Sequence, residues 1–280
     1  MQYRVLFVGL GSIGQKHLNN LKKCGDFHID ALRSKNEPFE GIETVYTSYD
    51  EVPSDYDIIF ITNPTNLHYE AISKLASKTK NMFIEKPIFD KICDVKFLDG
   101  VNYVACPLRH SNVVKELKQY VDTHKVYAFR AICSSYLPSW RKTGDYRNCY
   151  SAKADMGGGV ELDLIHEIDY LKWIFGSFDN IKRISAKKSD LEITSNDFSA
   201  YIFENKNYAG SLHLDYFGRE TKREIEVFAE NETKTFDITK TTNDFYLDEM
   251  KYFLNAVKTG NKNCYNTPNE AIESIKAALV

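Results

Sequence analysis

The stretch YRVLFVGLGSIGQKH, residues 3–17, decides the fold of the first part of the chain. It joins a short apolar run, Tyr3–Val8, to a segment of helical periodicity, Gln15–Cys24, through a G-x-G-x-x-G motif. In such a motif the first glycine permits the tight turn, the second lets the backbone approach a pyrophosphate, and the third lets helix and strand pack closely. The sequence therefore predicts a dinucleotide-binding unit that contacts phosphates through Gly9, Gly11, Ser12, Ile13 and Gly14.

Further buried strands follow this unit, which predicts an α/β domain with a parallel sheet. They are expected at His28–Leu32, Asp57–Thr62, Met82–Ile84 and Tyr103–Cys106, with a helix over Leu67–Ser77. Loops that leave the carboxyl ends of parallel strands form the ligand crevice. Cofactor contacts are therefore predicted for the residues that end two of these strands or follow them, namely Thr62, Asn63, Pro64, Thr65 and His68, and Glu85, Lys86 and Pro87.

The turn after the second strand reads Arg33-Ser34-Lys35. A site selective for NAD places an acid at the end of this strand, where it binds the ribose 2′-hydroxyl. Here Asp30 comes early and is expected inside the strand, while two cations and a hydroxyl suit a 2′-phosphate. The sequence favours NADP over NAD, and a solvated basic turn is the alternative.

The stretch GGGVELDLIHEIDYLKWIFG, residues 157–176, predicts a central helix with a glycine entry and a glycine stop. Its apolar stripe is Leu164, Ile168, Leu171 and Phe175, and its polar stripe is Asp163, His166, Tyr170 and Trp173. A carboxylate one turn from an imidazole orients it for proton transfer. His166 is therefore a candidate general acid/base and Asp163 its partner; the alternative is a core histidine beside a local cap.

With these motifs in hand, the chain resembles the Gfo/Idh/MocA family of NAD(P)-dependent oxidoreductases. The motifs are VGLGSIGQKH (8–17), TNPTNLH (62–68), EKP (85–87) and GGGVELDLIHEID (157–169), in the family's order. The resemblance implies that Lys86, Pro87 and His166 are functional, the proline often following a cis bond. Many members carry an aspartate four residues before the histidine, whereas here that position is Leu162 and the acid is Asp163.

The resemblance also implies two domains, a Rossmann domain over residues 1–106 and an α+β domain over residues 107–280. The second would carry a large, mainly antiparallel open sheet that mediates association into a homodimer or homotetramer. Its strands are expected at Ile181–Ala186, Phe198–Glu204, Tyr208–Phe217, Arg223–Glu230 and Lys234–Ile238, after a first strand at Val126–Ser135. Helices are expected at Ser111–Tyr120, Phe245–Lys258 and Asn269–Leu279, and the last two could pack back on the first domain.

Aromatic rings and arginines alternate between Tyr136 and Ser151, before the central helix. Rings cover the apolar faces of sugars, and guanidinium groups bind phosphate or carboxylate. The stretch is similar to the branch of the family found in bacterial surface-carbohydrate and nonulosonic-acid pathways, which implies a nucleotide sugar or an acidic sugar. The alternative is a packed loop with exposed arginines. Substrate contacts are predicted for Arg109, Trp140, Arg141, Arg147 and Tyr170.

Composition excludes several other classes of function. The formal charge of −3 gives no reason to expect nucleic acid or an anionic membrane as partner. No run approaches the roughly 18 apolar residues of a membrane span. The six cysteines form no Cys-x-x-Cys pair, so we expect neither a metal site nor disulfides, and free thiols fit the cytoplasm.

Two functions are compatible with the sequence. The first is an oxidoreductase that transfers a hydride between a nicotinamide and a hydroxyl or carbonyl carbon of a sugar derivative, with His166, Lys86 and Asp163 as catalytic residues. The second is a non-catalytic sensor that binds a nucleotide or sugar on the same fold. Loss of the lysine or the histidine would favour the sensor, and both residues are present.

Overall fold

The computed structural model describes residues 2–140 and 144–280, so the predicted contact residue Arg141 lies outside the described part of the chain. The chain divides into two compact units. The first comprises Met1–Pro107 and Tyr246–Ile272, and the second comprises Leu108–Phe245 and Glu273–Val280. Each unit is built on its own six-stranded sheet.

The sheet of the first unit is parallel throughout, with the strand order β3-β2-β1-β4-β5-β6. Strand order reverses between β1 and β4, and a ligand crevice forms at such a point in doubly wound folds. The predicted Rossmann architecture is confirmed; only the two-residue β3 was not expected. The strands are β1 Tyr3–Val8, β2 Phe27–Leu32, β3 Val45–Tyr46, β4 Ile58–Ile61, β5 Met82–Ile84 and β6 Asn102–Val104.

The helices of this unit are α1 Ser12–Cys24, α2 His68–Leu75, nearly all of α6, Phe245–Thr259, and the first residues of α7, Pro268–Leu279. Helix α6 is distant in sequence, yet its Phe253 stands edge-on to Phe60 and Phe83 at centroid distances of 5.9 and 5.3 Å. Aromatic rings prefer this arrangement. The core of the first unit is therefore completed by a late segment of the chain.

The sheet of the second unit has the order β12-β11-β7-β10-β9-β8, and all neighbours are antiparallel except β7 and β10. The predicted mainly antiparallel sheet is confirmed. The predicted strand Tyr208–Phe217 is wrong at its end, because the chain turns after Asp215, whose Oδ1 accepts the amides of Phe217 and Gly218. The strands are β7 Val126–Tyr136, β8 Asn180–Ala186, β9 Phe198–Glu204, β10 Ala209–Asp215, β11 Phe217–Ala229 and β12 Thr233–Asp237.

One face of this sheet is covered by helices, and the other is open. The covering helices are α3 Asn112–Thr123, α4 Val160–Asp163 and α5 Ile165–Phe175, while α7 Pro268–Leu279 ends the chain. The ring of Phe175 on α5 stacks on Phe129 of β7 at 4.3 Å. On the open face Ile202 is 57% exposed. Residues that face the helices thus alternate along each strand with residues on the open face, as in an antiparallel sheet with one buried side.

The central helix is interrupted, contrary to the single helix predicted from its periodicity. It begins after Gly159, whose φ of 131° favours glycine, and breaks at Leu164 into α4 and α5. The apolar stripe from Leu164 to Phe175 is buried as predicted. Among the described residues, no helix is both long and apolar enough to cross a membrane.

Candidate dinucleotide and substrate sites

Two glycines of the first loop are required by the packing of the protein itself. Gly9 has a φ of +86°, and a Cβ placed there would lie 2.7 Å from the Cα of Asn63. A Cβ on Gly14 would lie 2.5 Å from the Gly9 carbonyl oxygen and 2.9 Å from Thr62 Oγ1. The loops after the adjacent strands β1 and β4 therefore pack directly against each other.

Gly11 differs, because nothing lies within 4 Å of a Cβ added there and its φ of −69° suits any residue. It is the N-cap of α1, and no side chain caps this helix end. The amides of the first turn, which include those of Ser12 and Ile13, thus begin at an open, exposed position. An uncapped helix N-terminus with space beside it suits a pyrophosphate.

Thr62 braces the glycine loop from the neighbouring strand. Its hydroxyl donates to the Gly9 carbonyl oxygen at 2.6 Å. The turn that follows contains Asn63 and Pro64, and Thr65 in it is buried. These residues lie in the turn after β4, beside the glycine loop, and their contacts with a cofactor stay a prediction.

His68 connects two loops through both ring nitrogens. Its Nε2 lies 2.9 Å from the Asn63 carbonyl oxygen, and its Nδ1 lies 3.1 and 3.2 Å from those of Pro87 and Ile88. The imidazole is buried, and this burial lowers its pKa against the opposing effect of the carbonyls and Glu85. His68 therefore joins the turn after β4 to the loop after β5, which explains its presence without direct contact to a cofactor.

Glu85 and His17 form a buried pair that sequence reasoning missed. His17 Nε2 lies 2.5 Å from Glu85 Oε1, and Glu85 Oε2 accepts the backbone amide of Lys86 at 3.0 Å. Burial would raise the pKa of Glu85, but His17 and Lys86 outweigh it, so the pKa is lowered. In the sequence, the only indication of this pair was the histidine that ends the motif GQKH. This pair ties α1 to the residue before Lys86.

Lys86 itself lies at the carboxyl end of β5 and is half-buried. The peptide bond between Lys86 and Pro87 is cis. Strand β5 neighbours β4, so Lys86 projects from the same sheet edge as the turn that begins at Asn63. A cation placed there can act on a group bound in the crevice.

The basic turn after β2 is open to solvent at Ser34 and Lys35, and Arg33 is half-buried. Asp30 is fully buried inside β2, as predicted, where it accepts hydrogen bonds from Tyr56 Oη at 2.6 Å and Arg4 Nη2 at 3.2 Å. Its carboxylate is therefore committed to the interior. The end of β2 presents cations rather than an acid.

In the second unit, two phenols hold Asp163. Tyr150 Oη donates to Asp163 Oδ1, and Tyr216 Oη donates to Oδ2 at 3.0 Å. Burial, with the facing carboxylate, raises the pKa of Tyr216 well above its ordinary value, so it remains a donor. Asp163 ends α4, and His166 lies half-buried in the first turn of α5. The orienting role of Asp163 toward His166 stays a prediction.

Arg109 is engaged by a carboxylate of α5. Its Nε and Nη2 donate to the two oxygens of Asp169 at 3.0 and 2.7 Å, and both side chains are buried. This bidentate geometry is the strongest form of the pair. Arg109 thus anchors the helix that carries His166, and direct contact with a substrate stays a prediction.

Tyr170 faces a second buried ionic cluster. Arg223 Nε of β11 lies 2.9 Å from Glu167 Oε1, and Glu167 and Tyr170 are fully buried. Burial, with the facing Glu167, raises the pKa of the adjacent Cys133 thiol to about 12. The structure therefore gives Tyr170 a place in the interior of the second unit that needs no substrate to explain it.

Trp140 and Arg147, the two predicted contact residues that the structure describes in the aromatic and basic loop, are exposed. Trp140 is 40% exposed and donates from Nε1 to Ser135 Oγ at 2.9 Å. The guanidinium of Arg147 is held by Asp145 and Glu192. Their carboxylates raise its pKa. Trp140 is thus available to a ligand, while Arg147 already has anionic partners in the protein.

Lys86 belongs to the first unit and His166 to the second. Their meeting beside a nicotinamide therefore stays a prediction. Within each unit the candidate residues lie on loops and at helix ends, where buried partners such as His17 and Asp169 hold the neighbouring side chains in place.

Comparison with known proteins gives a consistent result. Residues 3–99 match the model of the oxidoreductase family GFO_IDH_MocA, described by its NAD-binding Rossmann fold. Myo-inositol 2-dehydrogenase from Thermotoga maritima is 25% identical, with 92% of this chain and 89% of that protein covered.

Solved structures agree in fold over the whole chain. Scyllo-inositol dehydrogenase from Lactobacillus casei, with bound NAD(H) and scyllo-inositol, has a TM-score of 0.76 at 18% identity, covering 100% of this chain and 95% of that chain. UDP-N-acetylglucosamine 3-dehydrogenase from Acidithiobacillus ferrooxidans has a TM-score of 0.78 at 15% identity, covering 100% and 96%.

The parallel sheet with its glycine loop, the second sheet and these matches define a nicotinamide-dependent dehydrogenase of two units. The match of residues 3–99 supports the resemblance to the Gfo/Idh/MocA family of oxidoreductases. The branch within the family stays a prediction.

Proposed function

We propose that the protein transfers a hydride between a nicotinamide cofactor and a CH–OH or carbonyl carbon of a sugar derivative. The observation that carries this proposal is the uncapped start of α1 with open space at Gly11, on the same sheet edge as Lys86. When bound, the nicotinamide supplies the hydride acceptor or donor. The residues of the chain bind it, exclude water and move the proton.

His166 is proposed as the general acid/base. During oxidation it would take the hydroxyl proton of the substrate, and during reduction it would return a proton to the carbonyl oxygen. Lys86 would stabilise negative charge on that same oxygen and relay the proton. Asp163, fixed by Tyr150 and Tyr216, would orient the imidazole. Both proton-transfer roles require that Lys86 and His166 converge on one substrate.

A sugar derivative is supported by the relatives that act on inositols and on UDP-N-acetylglucosamine. A nucleotide sugar or an acidic sugar is the narrower proposal. The exposed ring of Trp140 supports it, since aromatic faces cover the apolar faces of sugars. Arg147 would contribute only if a substrate anion displaced Asp145 or Glu192.

For the cofactor we propose NADP rather than NAD. The exposed basic turn Arg33-Ser34-Lys35 supports the choice, together with the burial of Asp30. The bound NAD(H) of the Lactobacillus casei relative shows that NAD serves at least one protein of this fold.

The open face of the second sheet supports a homodimer or homotetramer. It exposes Ile184 and Ile202, and monomers rarely leave such residues together in water. All six cysteines are free thiols, which fits the proposed cytoplasmic location. Native mass spectrometry would report the subunit count together with any retained dinucleotide or sugar.

The proposed reaction is tested with Lys86→Ala and His166→Ala. Myo-inositol, scyllo-inositol and UDP-N-acetylglucosamine are offered with NAD⁺ and NADP⁺, and reduced nicotinamide is followed by absorbance. Each substitution should lower turnover by ~10²-fold or more, because a positioned proton-transfer group contributes about that much. Binding of NADPH to the His166→Ala variant, measured by fluorescence, should stay nearly unchanged.

Turnover that survives both substitutions would remove the roles proposed for Lys86 and His166. Dinucleotide binding without turnover of any offered sugar would instead favour the sensor as the function of this chain.

A further inference from the structure

The guanidinium of Arg33 is held in place by its own loop. Its Cζ lies over the ring of Phe39, 4.9 Å from the centroid, and its Nη1 donates to the Glu37 carbonyl oxygen at 3.0 Å. One contact fixes the plane of the group and the other fixes its rotation within that plane. Arg33 is therefore ordered before any ligand arrives.

The loop that supplies both contacts is closed on itself. The amide of Ala31 donates to the Thr44 carbonyl oxygen at 2.9 Å, and the amide of Arg33 donates to the Tyr46 carbonyl oxygen at 2.9 Å. The chain thus leaves the end of β2, forms a loop and returns beside β2 as β3. Because both ends are bonded to one strand, the segment between them has little freedom.

Phe39 is itself anchored. Its ring is partly buried against the hydrophobic core of the first unit, and its carbonyl oxygen accepts the amide of Ile42 at 3.1 Å. A ring packed on the core cannot follow a side chain that swings into solvent. Phe39 is therefore a fixed platform, and the position of Arg33 follows from it.

The chemistry of this arrangement selects a phosphate. A guanidinium carries five N–H donors in a planar fork, and the Glu37 carbonyl oxygen engages Nη1. Such a fork matches the oxygens of a phosphate with two parallel hydrogen bonds. Arg33 follows the last residue of β2, and in a dinucleotide-binding sheet this position faces the 2′ substituent of the adenosine ribose.

We propose that Phe39 is a specificity-determining residue of the cofactor site. It positions Arg33 so that the guanidinium receives a 2′-phosphate, and it thereby favours dinucleotides that carry one. This inference rests on the proposed preference for NADP. It adds a residue that acts through Arg33 and that no motif of the sequence singles out.

The experiment is fluorescence titration of the full chain with NADPH and with NADH, using Phe39→Leu, Phe39→Tyr and Arg33→Ala. Leucine keeps the apolar contact with the core but removes the aromatic face, and tyrosine keeps the face. Tyr3→Leu is the matched control, since Tyr3 is a partly buried aromatic of the same unit at the opposite end of β1 from the glycine loop.

Phe39→Leu should raise the Kd of NADPH by about 2–5-fold, the range that an exposed cation–π contact provides, and leave the Kd of NADH unchanged. Phe39→Tyr and Tyr3→Leu should leave both values unchanged. Arg33→Ala should weaken the binding of NADPH more than Phe39→Leu does, because it removes the guanidinium itself and not only its orientation. This rescue by tyrosine separates orientation of Arg33 from general damage to the fold.

Three outcomes would overturn the proposal. If the wild type binds NADH as tightly as NADPH, the NADP preference itself is wrong, and the role of Phe39 falls with it. If the wild type prefers NADPH and Arg33→Ala abolishes the preference while Phe39→Leu changes nothing, only the role of Phe39 is wrong. If Phe39→Leu weakens both dinucleotides equally, Phe39 serves the fold and not the choice of cofactor.

Discussion

The two units build their candidate sites from different materials. In the first unit the site consists of backbone: the glycine loop, the open N-terminus of α1 and the loops after β4 and β5. In the second unit it consists of side chains on α4 and α5, held by Tyr150, Tyr216, Arg109 and Arg223. A backbone site needs small residues at fixed spacing, whereas a side-chain site needs buried charges and phenols that find one another during folding.

This difference has a consequence for how substitutions act. In the first unit, a substitution at a glycine should act by steric clash, because the neighbouring atoms belong to the backbone and cannot easily move. In the second unit, a change at an anchoring residue should act through charge, because its removal leaves a buried opposite charge behind. The predictions below test this contrast, in order of decreasing effect.

Asp169→Ala should have the largest effect on stability. It leaves the buried guanidinium of Arg109 without its carboxylate, so the free energy of unfolding should fall by ~3–5 kcal/mol. Chemical denaturation measures it. The matched control is Asp122→Ala on α3, whose carboxylate is 54% exposed and 3.0 Å from Lys118 Nζ. That exposed pair should contribute less than ~0.5 kcal/mol. Similar losses for both variants would contradict the buried-charge account of the second unit.

Gly14→Ala and Gly11→Ala should separate packing from binding in the first unit. A Cβ at position 14 meets the Gly9 carbonyl oxygen at 2.5 Å, so the backbone must shift, at a cost of roughly 1–3 kcal/mol in stability. A Cβ at position 11 meets nothing within 4 Å and should change stability by under about 1 kcal/mol.

At Gly11 the affinity for NADPH should change much more than the stability does. The added methyl enters the space proposed for the pyrophosphate, so Gly11→Ala should weaken binding by ~10-fold, or roughly 1.4 kcal/mol. Titration and denaturation of the same two variants measure both quantities. Unchanged affinity in Gly11→Ala would show that the open space at this glycine is not where the phosphates bind.

A smaller, pH-dependent effect is expected from His68. Its pKa in the folded chain is lowered by burial, so below the ordinary value of about 6.5 the unfolded chain binds more protons. The stability tied to this group is therefore complete above pH ~6.5 and is lost as pH falls toward the folded pKa, by at most about 1.4 kcal/mol per pH unit.

His68→Gln removes this titration and keeps an amide donor between the two loops. Urea denaturation of both proteins between about pH 7 and 5 should show a flatter dependence for the variant. Glu85, whose pKa is lowered, affects stability in a separate pH window that begins at its ordinary pKa of 4.5 and extends downward. It therefore does not obscure the comparison. Parallel pH dependences would mean that His68 does not titrate in this window.

Periodicity and glycine spacing predicted most elements of the fold. The strands Tyr3–Val8, Met82–Ile84 and Phe198–Glu204 have the predicted bounds, since each is a short apolar or alternating run between polar turns. The interruption at Leu164 was missed, because both stripes of the central helix continue across it. The turn after Asp215 was missed for a similar reason: a carboxylate that binds two amides bends the chain without a glycine–proline signal.

For the candidate sites, the sequence identified residue types and their places along the chain but not their partners. It singled out Arg109, Tyr170 and Asp163 as candidates, yet it could not show that Asp169, Glu167 and two phenols lie beside them. His17 was overlooked, because nothing in the local sequence marks it as the partner of Glu85, which lies far away along the chain. Pairings of this kind depend on which elements pack together.

By itself the sequence determined a dinucleotide-binding parallel sheet, an antiparallel sheet after it and the motifs of an oxidoreductase. These follow from hydrophobic period and from glycines at fixed spacing, which are local properties of the chain. Only the tertiary structure decided that Arg33 lies on Phe39, that Asp169 holds Arg109 and that α6 completes the core of the first unit. The reason is physical: a buried charge or ring takes its partner from whatever the packing brings within reach.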